Sequence, residues 1–333
     1  MIFEDRKTCR RTKVYFRPFQ DEDENAFRSC IEDYYGGGYP YKQYLTPGYL
    51  SNKCRKSAMS ILCGVTEKGD IISTSAVRFD TEFAGSGLLL LRVVRNAYQG
   101  MGIGTKQEEI LLQSIQGRKE LLSLYADVMA HNTVSQQSLA RQGFVLCGVR
   151  PMLYRAEVML PGGAWPKGAR LSQAVMCRRE RVGDAGVFYC PEEHREVAKQ
   201  IYDELGVNCR LESKGQSCTV SKTVYSNQHD ALHHNSIWVI QEVGEDFASL
   251  LEDLNLKTER IFLCYLNLKS SGAANAYRML RRAGCFFTGL KPMNRSGEYM
   301  IMAHVGQRCV RNAEICLYPE GAWLLDYIHK QYE

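Results

Sequence analysis

Short apolar runs alternate with amphipathic segments along the 333-residue chain, and their spacing predicts alternating strands and helices. In the first half, strands are predicted over residues 14–19, 59–66, 71–79, 88–95, 121–129, 144–149 and 154–160. Helices are predicted over residues 21–35, 104–116 and 132–142, with a further short one after Pro47. This pattern predicts an α/β (α+β) fold, in which helices flank a sheet.

The second half repeats part of this pattern, with strands predicted over residues 186–190 and 236–243 and a helix over 245–257. Five residues recur 141 positions later: Arg141, Gly143, Gly148, Pro151 and Met152 return as Arg282, Gly284, Gly289, Pro292 and Met293. A register shared by a helix, a turn and a strand favours an internal duplication over chance. Together with the chain length, it predicts two domains, residues 1–165 and 166–333.

Residues 99–104 read Gln-Gly-Met-Gly-Ile-Gly and join a predicted strand to a predicted helix. Glycines at alternate positions let the backbone turn sharply and approach a ligand closely. The first amides of the helix are unpaired and lie at its positive end, so the segment predicts a phosphate or diphosphate cradle. The three glycines follow G-x-G-x-G, whereas the dinucleotide-binding pattern is G-x-G-x-x-G. The segment is not a P-loop either, because Lys106 follows Thr105 instead of preceding it. A plain glycine-rich turn is the alternative.

Composition and charge narrow the functional classes. The chain is 45% hydrophobic and 24% charged, with a net charge of +5, which is too mild to indicate a nucleic-acid partner. Its first residues lack the apolar core of a signal peptide, and no apolar run is long enough to span a bilayer. Thirteen dispersed cysteines without a C-x-x-C pair indicate reduced thiols. We therefore expect a cytoplasmic protein that binds neither membrane nor nucleic acid.

Two motifs resemble those of the GNAT N-acetyltransferase superfamily. Gln99, Gly102 and Gly104 fit its acyl-CoA signature, Q/R-x-x-G-x-G/A, and the lead-in over residues 92–98 resembles its approach strand. The segment from Asn132 to Gly143-Phe144 resembles the helix that follows its fifth strand. The resemblance implies two GNAT-like domains, each a mixed, mostly antiparallel sheet flanked by helices, as in a bacterial tandem type.

The second domain is expected to be degenerate. Where a cofactor loop belongs, it has Gly244 among Glu242, Glu245 and Asp246. Carboxylates at a helix start satisfy the dipole internally and repel a diphosphate. This domain is therefore expected to support the first one or to shape its acceptor cleft.

The resemblance implies acetyl-CoA as co-substrate, lying between the fourth and fifth strands of the first domain. Asn132 is expected either to contact the pantetheine arm or to cap the following helix, since asparagine is a preferred cap. The implied cofactor-binding residues are Val93, Val94, Arg95, Gln99, Gly100, Met101, Gly102, Ile103, Gly104, Thr105, Asn132 and Ser135.

The implied reaction is direct transfer of an acetyl group to a primary amine in a ternary complex. The glutamate and tyrosine that many family members use are replaced here by Leu88 and Leu139. Glu82 (or Asp80), acting through water, and Ser138 or Tyr154 are the candidate substitutes. A solvated carboxylate and a packed aromatic are the alternatives for Glu82 and Tyr154.

Two other functions stay open from the sequence. The loss of the usual acid and base favours a non-catalytic acyl-CoA-binding regulatory module, and a tandem aminoacyl transferase is a weaker alternative. The acceptor is expected to be a small-molecule or peptide amine that enters past the tyrosine-rich residues 34–49. No metal is expected, although His229, His233 and Cys218 have ligand-type side chains. No feature predicts an oligomeric state.

Overall fold

A computed structural model describes residues 1–5, 9, 11–79, 81–160, 163, 165–181, 185–254, 256, 261–306 and 315–332. Asp80, one of the candidate bases, lies outside this part of the chain. The strands are β1 Ile2–Glu4, β2 Arg11–Pro18, β3 Met59–Thr66, β4 Ile71–Arg78, β5 Ser86–Val94, β6 Ser123–Met129, β7 Val145–Arg155, β8 Arg170–Arg179, β9 Gly186–Tyr189, β10 Cys209–Glu212, β11 Val224–Asp230, β12 Asn235–Glu242, β13 Ile261–Asn267, β14 Phe286–Asn294 and β15 Gly297–His304. The α-helices are α1 Glu24–Tyr35, α2 Tyr49–Arg55, α3 Ile103–Ser114, α4 Thr133–Ala140, α5 Ala156–Met159, α6 Arg195–Glu204, α7 Phe247–Asp253, α8 Ala273–Arg282 and α9 Ala322–Tyr332.

Thirteen of these strands form one continuous sheet in the order β1-β2-β3-β4-β5-β6-β8-β7-β14-β15-β13-β12-β11, and β9 pairs with β10 separately. Within the large sheet, β5 with β6 and β12 with β13 are parallel, and the other neighbouring pairs are antiparallel. Helices pack on this sheet, so the predicted fold class, a mixed and mostly antiparallel sheet flanked by helices, is confirmed.

The two halves of the large sheet meet at a pair of glycines. Gly148 on β7 lies opposite Gly289 on β14, and these are the positions related by the 141-residue offset. A Cβ on Gly289 would lie 2.2 Å from the Cα of Gly148, so only glycine allows the two backbones to approach this closely. Met152 and Met293, also related by the offset, both have positive φ, 51° and 60°. Met152 and Met293 thus share a backbone conformation as well as a residue type, and the internal duplication stays a prediction.

The topology bears on where the first domain ends. β8 lies between β6 and β7 in the sheet, although it follows residue 165 in sequence. A division after Arg179 keeps this strand with the strands that it pairs with. We therefore place the proposed domain boundary after β8; the two-domain division itself stays a prediction.

The prediction of two strands over residues 144–149 and 154–160 is wrong. One strand, β7, runs from Val145 to Arg155, and residues 156–159 form the short helix α5. Two register shifts in β7, after Leu146 and after Arg150, break the alternation of side chains without ending the strand. The sequence pattern of this one strand therefore resembles that of two strands separated by a turn.

Glu298 is a carboxyl group in the core of the second half, with 2% of its surface exposed. It accepts hydrogen bonds from the hydroxyl of Tyr202 and, at 2.8 Å, from the amide of Met293, and the Lys269 ammonium lies 4.0 Å away. Burial raises its pKa to about 7, because the charged form is desolvated. The folded protein therefore favours the protonated acid. This preference stabilises the fold fully below the ordinary pKa of 4.5 and is lost as the pH rises through 7.

We expect Glu298→Gln to remove this pH dependence, because glutamine keeps the shape of the acid and cannot ionise. The wild-type free energy of unfolding minus that of the variant should fall by about 2–3 kcal/mol between pH 5 and pH 8. Urea unfolding at both pH values measures it, with Glu252→Gln on the exposed face of α7 as the control. Parallel pH curves for wild type and Glu298→Gln would contradict the assignment.

Candidate active site

Strands β5 and β6 separate part of the way along their length. They pair in parallel from Ser86 and Ser123 to Leu89 and Ala126, and no pairing continues beyond that point. β5 nevertheless extends to Val94 and β6 to Met129. The second half of β5 therefore has one backbone edge that is not paired with a neighbouring strand, and an extended ligand can bind along such an edge.

The glycine segment lies at the end of this open edge. Gly100 and Gly102 have φ values of 78° and 81°, and a Cβ built on either would meet no heavy atom within 4 Å. α3 begins at Ile103, whose side chain is buried, as is that of Met101. The six amides of residues 100–105 donate no hydrogen bond to any described residue. Open space above free amides at a helix N-terminus suits a diphosphate, so the predicted cradle fits its ligand.

Two of the predicted cofactor-binding side chains are used to hold this segment. Gln99 donates from Nε2 to the carbonyl of Val94, at 3.1 Å, and to Oδ1 of Asn96, at 3.0 Å. Thr105 shares a 3.0 Å hydrogen bond with the hydroxyl of Ser138 on α4. Ser138, a candidate acid, therefore lies beside the first turn of α3 and is not among the residues that line the cavity described below.

Arg95 contacts strand β4 and helix α1 of its own chain. Its amide donates to the carbonyl of Ile72 on β4, at 2.9 Å, and its carbonyl accepts the amide of Tyr98. The guanidinium donates to Ile71 and Ser29. Arg95 thus faces β4 and α1, where a carboxylate oxygen of Asp33 also lies 4.0 Å from its guanidinium. Its contact with the cofactor stays a prediction. Amide directions alternate along a strand, so the amide of Val94 faces the open edge and that of Val93 faces β4.

Asn132 caps α4, which is one of the two roles expected for it. Its Oδ1 accepts the amide of Ser135 at 3.0 Å. Both residues also line the cavity, so the start of α4 forms part of its wall.

A cavity of about 300 Å³ continues from the open edge of β5. Its walls come from both halves of the chain. The first half supplies some of residues 34–44, some of residues 81–92 and part of β6. The second half supplies Gln228, Ile237, Tyr265 and Lys291. The second half therefore contributes to the wall of the cavity, and its expected role in shaping an acceptor cleft stays a prediction.

One wall is aromatic. It is made by tyrosines at the end of α1 and after it, whose rings contact one another in tilted or edge-to-face pairs, namely Tyr35, Tyr39, Tyr41 and Tyr44. Tyr41 lies within 2.6 Å, hydroxyl to hydroxyl, of Tyr154. Tyr154 is 3% exposed, and burial raises its pKa above the ordinary value, as does the nearby Tyr41. Tyr41 lines the cavity and Tyr154 lies behind it. Sequence reasoning therefore named the residue of this pair that does not line the cavity.

The floor of the cavity is charged. Asp127 on β6 accepts a hydrogen bond at 2.8 Å from Arg150 on β7, which also donates to Gln173 at 3.0 Å. Oδ1 of Asp127 is buried and has no hydrogen-bond partner among the described residues. Lys291 on β14 lies beside them, 5% exposed, with its ammonium 3.8 Å from the centre of the Tyr125 ring. Burial lowers the pKa of Lys291.

Glu82 lies at the rim of the same cavity. Its side chain is exposed, and Oε1 accepts a hydrogen bond from Nε2 of Gln228 at 2.9 Å. The structure thus brings Glu82, Asp127 and the Tyr41–Tyr154 pair to one cavity and leaves Ser138 outside it.

The corresponding loop of the second half is filled by its own chain. A Cβ on Gly244 would lie 2.2 Å from the carbonyl carbon of Lys222, and the Gly244 amide donates to Oγ1 of Thr223. Asp246 accepts from both the amide and the hydroxyl of Thr223 at 2.7 Å. The space and the amides that a diphosphate needs are therefore taken up by residues 222–223.

The histidines that invited a metal hypothesis do not share a helix face. His229 lies on β11 and bonds Ser236, and His233 lies in the following turn, where its Nδ1 accepts the amide of Arg155. Within the described ranges, no three metal-ligating side chains form a cluster. No described helix is long and apolar enough to cross a bilayer.

The cavity also contains Asp127, Arg150 and Lys291, which sequence reasoning did not name, and Tyr41, which it named only as part of residues 34–49. Asp127 was detectable as a charge inside an apolar strand, residues 121–129. Lys291 stands 141 positions after Arg150, so the repeat placed two cations at equivalent positions. That both face one cavity depends on the pairing of β7 with β14, which no local pattern indicates.

Comparison with known proteins gives matches among solved structures. No protein-family model and no curated protein matches the chain. Ribosomal-protein-alanine N-acetyltransferase from Brucella melitensis is 18% identical, with 50% of this chain and 99% of that chain covered and a TM-score of 0.41. A GCN5-related N-acetyltransferase from Kribbella flavida is 17% identical, with 50% and 97% covered and a TM-score of 0.40. yncA from Salmonella typhimurium, solved with its cofactor acetyl-CoA, is 14% identical, with 52% and 96% covered and a TM-score of 0.42. Each match thus spans about half of this chain, and N-acetyltransferases are the class that its sequence motifs resemble.

Proposed function

We propose that this protein is an N-acyltransferase that transfers the acetyl group of acetyl-CoA to the amine of a small acceptor in a ternary complex. One observation carries the proposal: six free amides surround an open glycine loop at the end of an unpaired strand edge, and this edge leads into a cavity. The loop suits the diphosphate, and the edge suits an amide-containing arm.

Acetyl-CoA supplies the thioester, whose carbon–sulfur bond breaks as a carbon–nitrogen bond to the acceptor forms. The amides of residues 100–105 hold the diphosphate. The amide of Val94, on the open edge of β5, binds the pantetheine arm. Holding both reactants in one cavity supplies much of the rate, on the order of 7–11 kcal/mol in favourable cases.

Asp127 is the proposed proton acceptor for the amine, because it lines the cavity from β6 and its buried Oδ1 has no hydrogen-bond partner among the described residues. Arg150 and Gln173 fix the orientation of the carboxylate–guanidinium pair. Tyr41, held by Tyr154, is the proposed donor of the proton that the departing thiolate takes up. Glu82 at the rim has a smaller role, since its carboxylate is solvated and engaged with Gln228.

The proposal is tested by thiol release from acetyl-CoA across a panel of amines with the full chain. Turnover with any amine supports acyl transfer over the alternative of a non-catalytic acyl-CoA-binding module. Binding of acetyl-CoA without turnover across the panel would favour that module, and absence of binding would reject both. A peptide amine acceptor, a cytoplasmic location and the tandem origin of the two halves stay predictions.

We expect one acetyl-CoA to bind per chain, as the carboxylates around Gly244 already suggest from the sequence. The loop at Gly102 is open, whereas the loop at Gly244 is occupied by residues 222–223. Isothermal titration calorimetry with acetyl-CoA measures the stoichiometry directly. A value near two would show that the second loop rearranges to bind the ligand.

A further inference from the structure

The charged floor of the cavity has an excess positive charge. Asp127 and Arg150 are a close ion pair and neutralise one another. Lys291 has no such partner, because its ammonium makes no hydrogen bond or ion pair with any described residue. Its ammonium is surrounded by aromatic rings, with centroid distances of 3.8 Å to Tyr125 and 4.7 Å to Phe83.

These rings stabilise the ammonium only in part. The attraction between a cation and an aromatic face is weaker than the cost of taking a lysine charge out of water. A charged group is normally buried only where an opposite charge pairs with it. Lys291 lines the cavity and is more than nine-tenths buried, so the anion that pairs with it is expected to be a ligand bound in the cavity.

Four cationic and two anionic side chains line the cavity, and one of the cations, Arg78, donates to the hydroxyl of Tyr44. The charged residues that line the cavity are Arg78, Arg92, Arg150 and Lys291, against Glu82 and Asp127. Arg92 is balanced from outside the cavity by Glu108, at 2.7 Å. A polyamine would bring further positive charge next to Lys291, so the arrangement disfavours it.

We infer that the acceptor of the proposed acyl transfer is an amine that also carries a carboxylate, of the size of a free amino acid, and that Lys291 binds the carboxylate. The inference rests on the proposed function. One uncompensated positive charge matches a singly charged carboxylate better than a phosphate dianion. The free Oδ1 of Asp127 accepts from the amino group of the same molecule, and the tyrosine wall packs against its side chain.

The second half of the chain thereby contributes the specificity of the site. Lys291 lies on β14, and Tyr265 on β13 lies in the same wall. A half that has no open diphosphate loop of its own supplies the group that distinguishes acceptors.

The experiment compares the twenty common amino acids with their α-amides, which keep the amine and lose the carboxylate. Each is tested for thiol release from acetyl-CoA and for calorimetric binding to the full chain, with wild type, Lys291→Met and Lys199→Met. Lys199 is an exposed lysine on α6 and serves as the control for loss of one charge. Methionine keeps the length of the lysine stem and removes its charge.

We expect wild type and Lys199→Met to prefer at least one acid over its amide by tenfold or more in kcat/KM. Lys291→Met should lose that preference, while its affinity for acetyl-CoA stays unchanged. Equal use of acids and amides by wild type, or a preference that persists in Lys291→Met, would overturn the inference and leave acyl transfer standing. Acid binding that depends on Lys291 without any thiol release would support carboxylate recognition and reject the proposed transfer. Acetyl-CoA binding without binding or turnover of any acid would overturn the inference.

Discussion

Gly102→Glu is expected to weaken acetyl-CoA binding by at least ~100-fold, which is about 3 kcal/mol. Gly102 precedes α3 and has a φ of 81°, so any side chain there strains the backbone by about 1–2 kcal/mol. The glutamate would also place a negative charge where the free amides face the diphosphate. Calorimetric titration with acetyl-CoA measures the loss.

The chain offers a matched control for the strain. Gly117, just beyond the end of α3, has a φ of 83°, and a Cβ there would also meet no atom within 4 Å. Gly117→Glu therefore carries the same strain and the same charge away from the cradle. It should lower the melting temperature as much as Gly102→Glu does and leave acetyl-CoA affinity intact. Equal affinities for the two variants would show that the glycine segment is only a turn.

The cradle could be predicted from the sequence because its causes are local. Alternate glycines, a preceding strand and a following helix specify the free amides of residues 100–105 without reference to the rest of the fold. The cap formed by Asn132 is local in the same way, since the acceptor and the Ser135 amide are three residues apart. The contacts of Arg95 could not be predicted in this way, because its partners, Ile71 and Ser29, are distant in sequence.

The acceptor cavity could not be predicted, because its parts come together only through long-range strand pairing. Asp127, Arg150 and Lys291 lie on three strands whose order, β6-β8-β7-β14, places a later strand between two earlier ones. Single-sequence periodicity reports which face of a strand is buried. It does not report which strands are neighbours, so charges that complete one site were seen as unrelated residues.

Asp127→Asn is expected to lower kcat by about 10²–10⁴-fold, the range that a positioned general base supplies. Asparagine keeps an oxygen for the hydrogen bond from Arg150 and removes the ability to accept a proton. Because Asp127 lies on the acceptor side and the glycine loop lies at the far end of β5, acetyl-CoA affinity should not change. Thiol release at saturating acetyl-CoA, with the best amine of the panel, measures kcat.

Glu82→Gln is the matched comparison, since it removes a carboxylate from the rim of the same cavity. The hydrogen bond from Gln228 and the exposure of Glu82 indicate a solvated group, so its loss should cost less than about tenfold, or 1.4 kcal/mol. The reverse order of effects would make Glu82 the base, as the sequence suggested, and would leave Asp127 with the role of neutralising Arg150. The relative size of the two losses therefore decides whether the proton leaves the amine toward the buried floor or toward water at the rim.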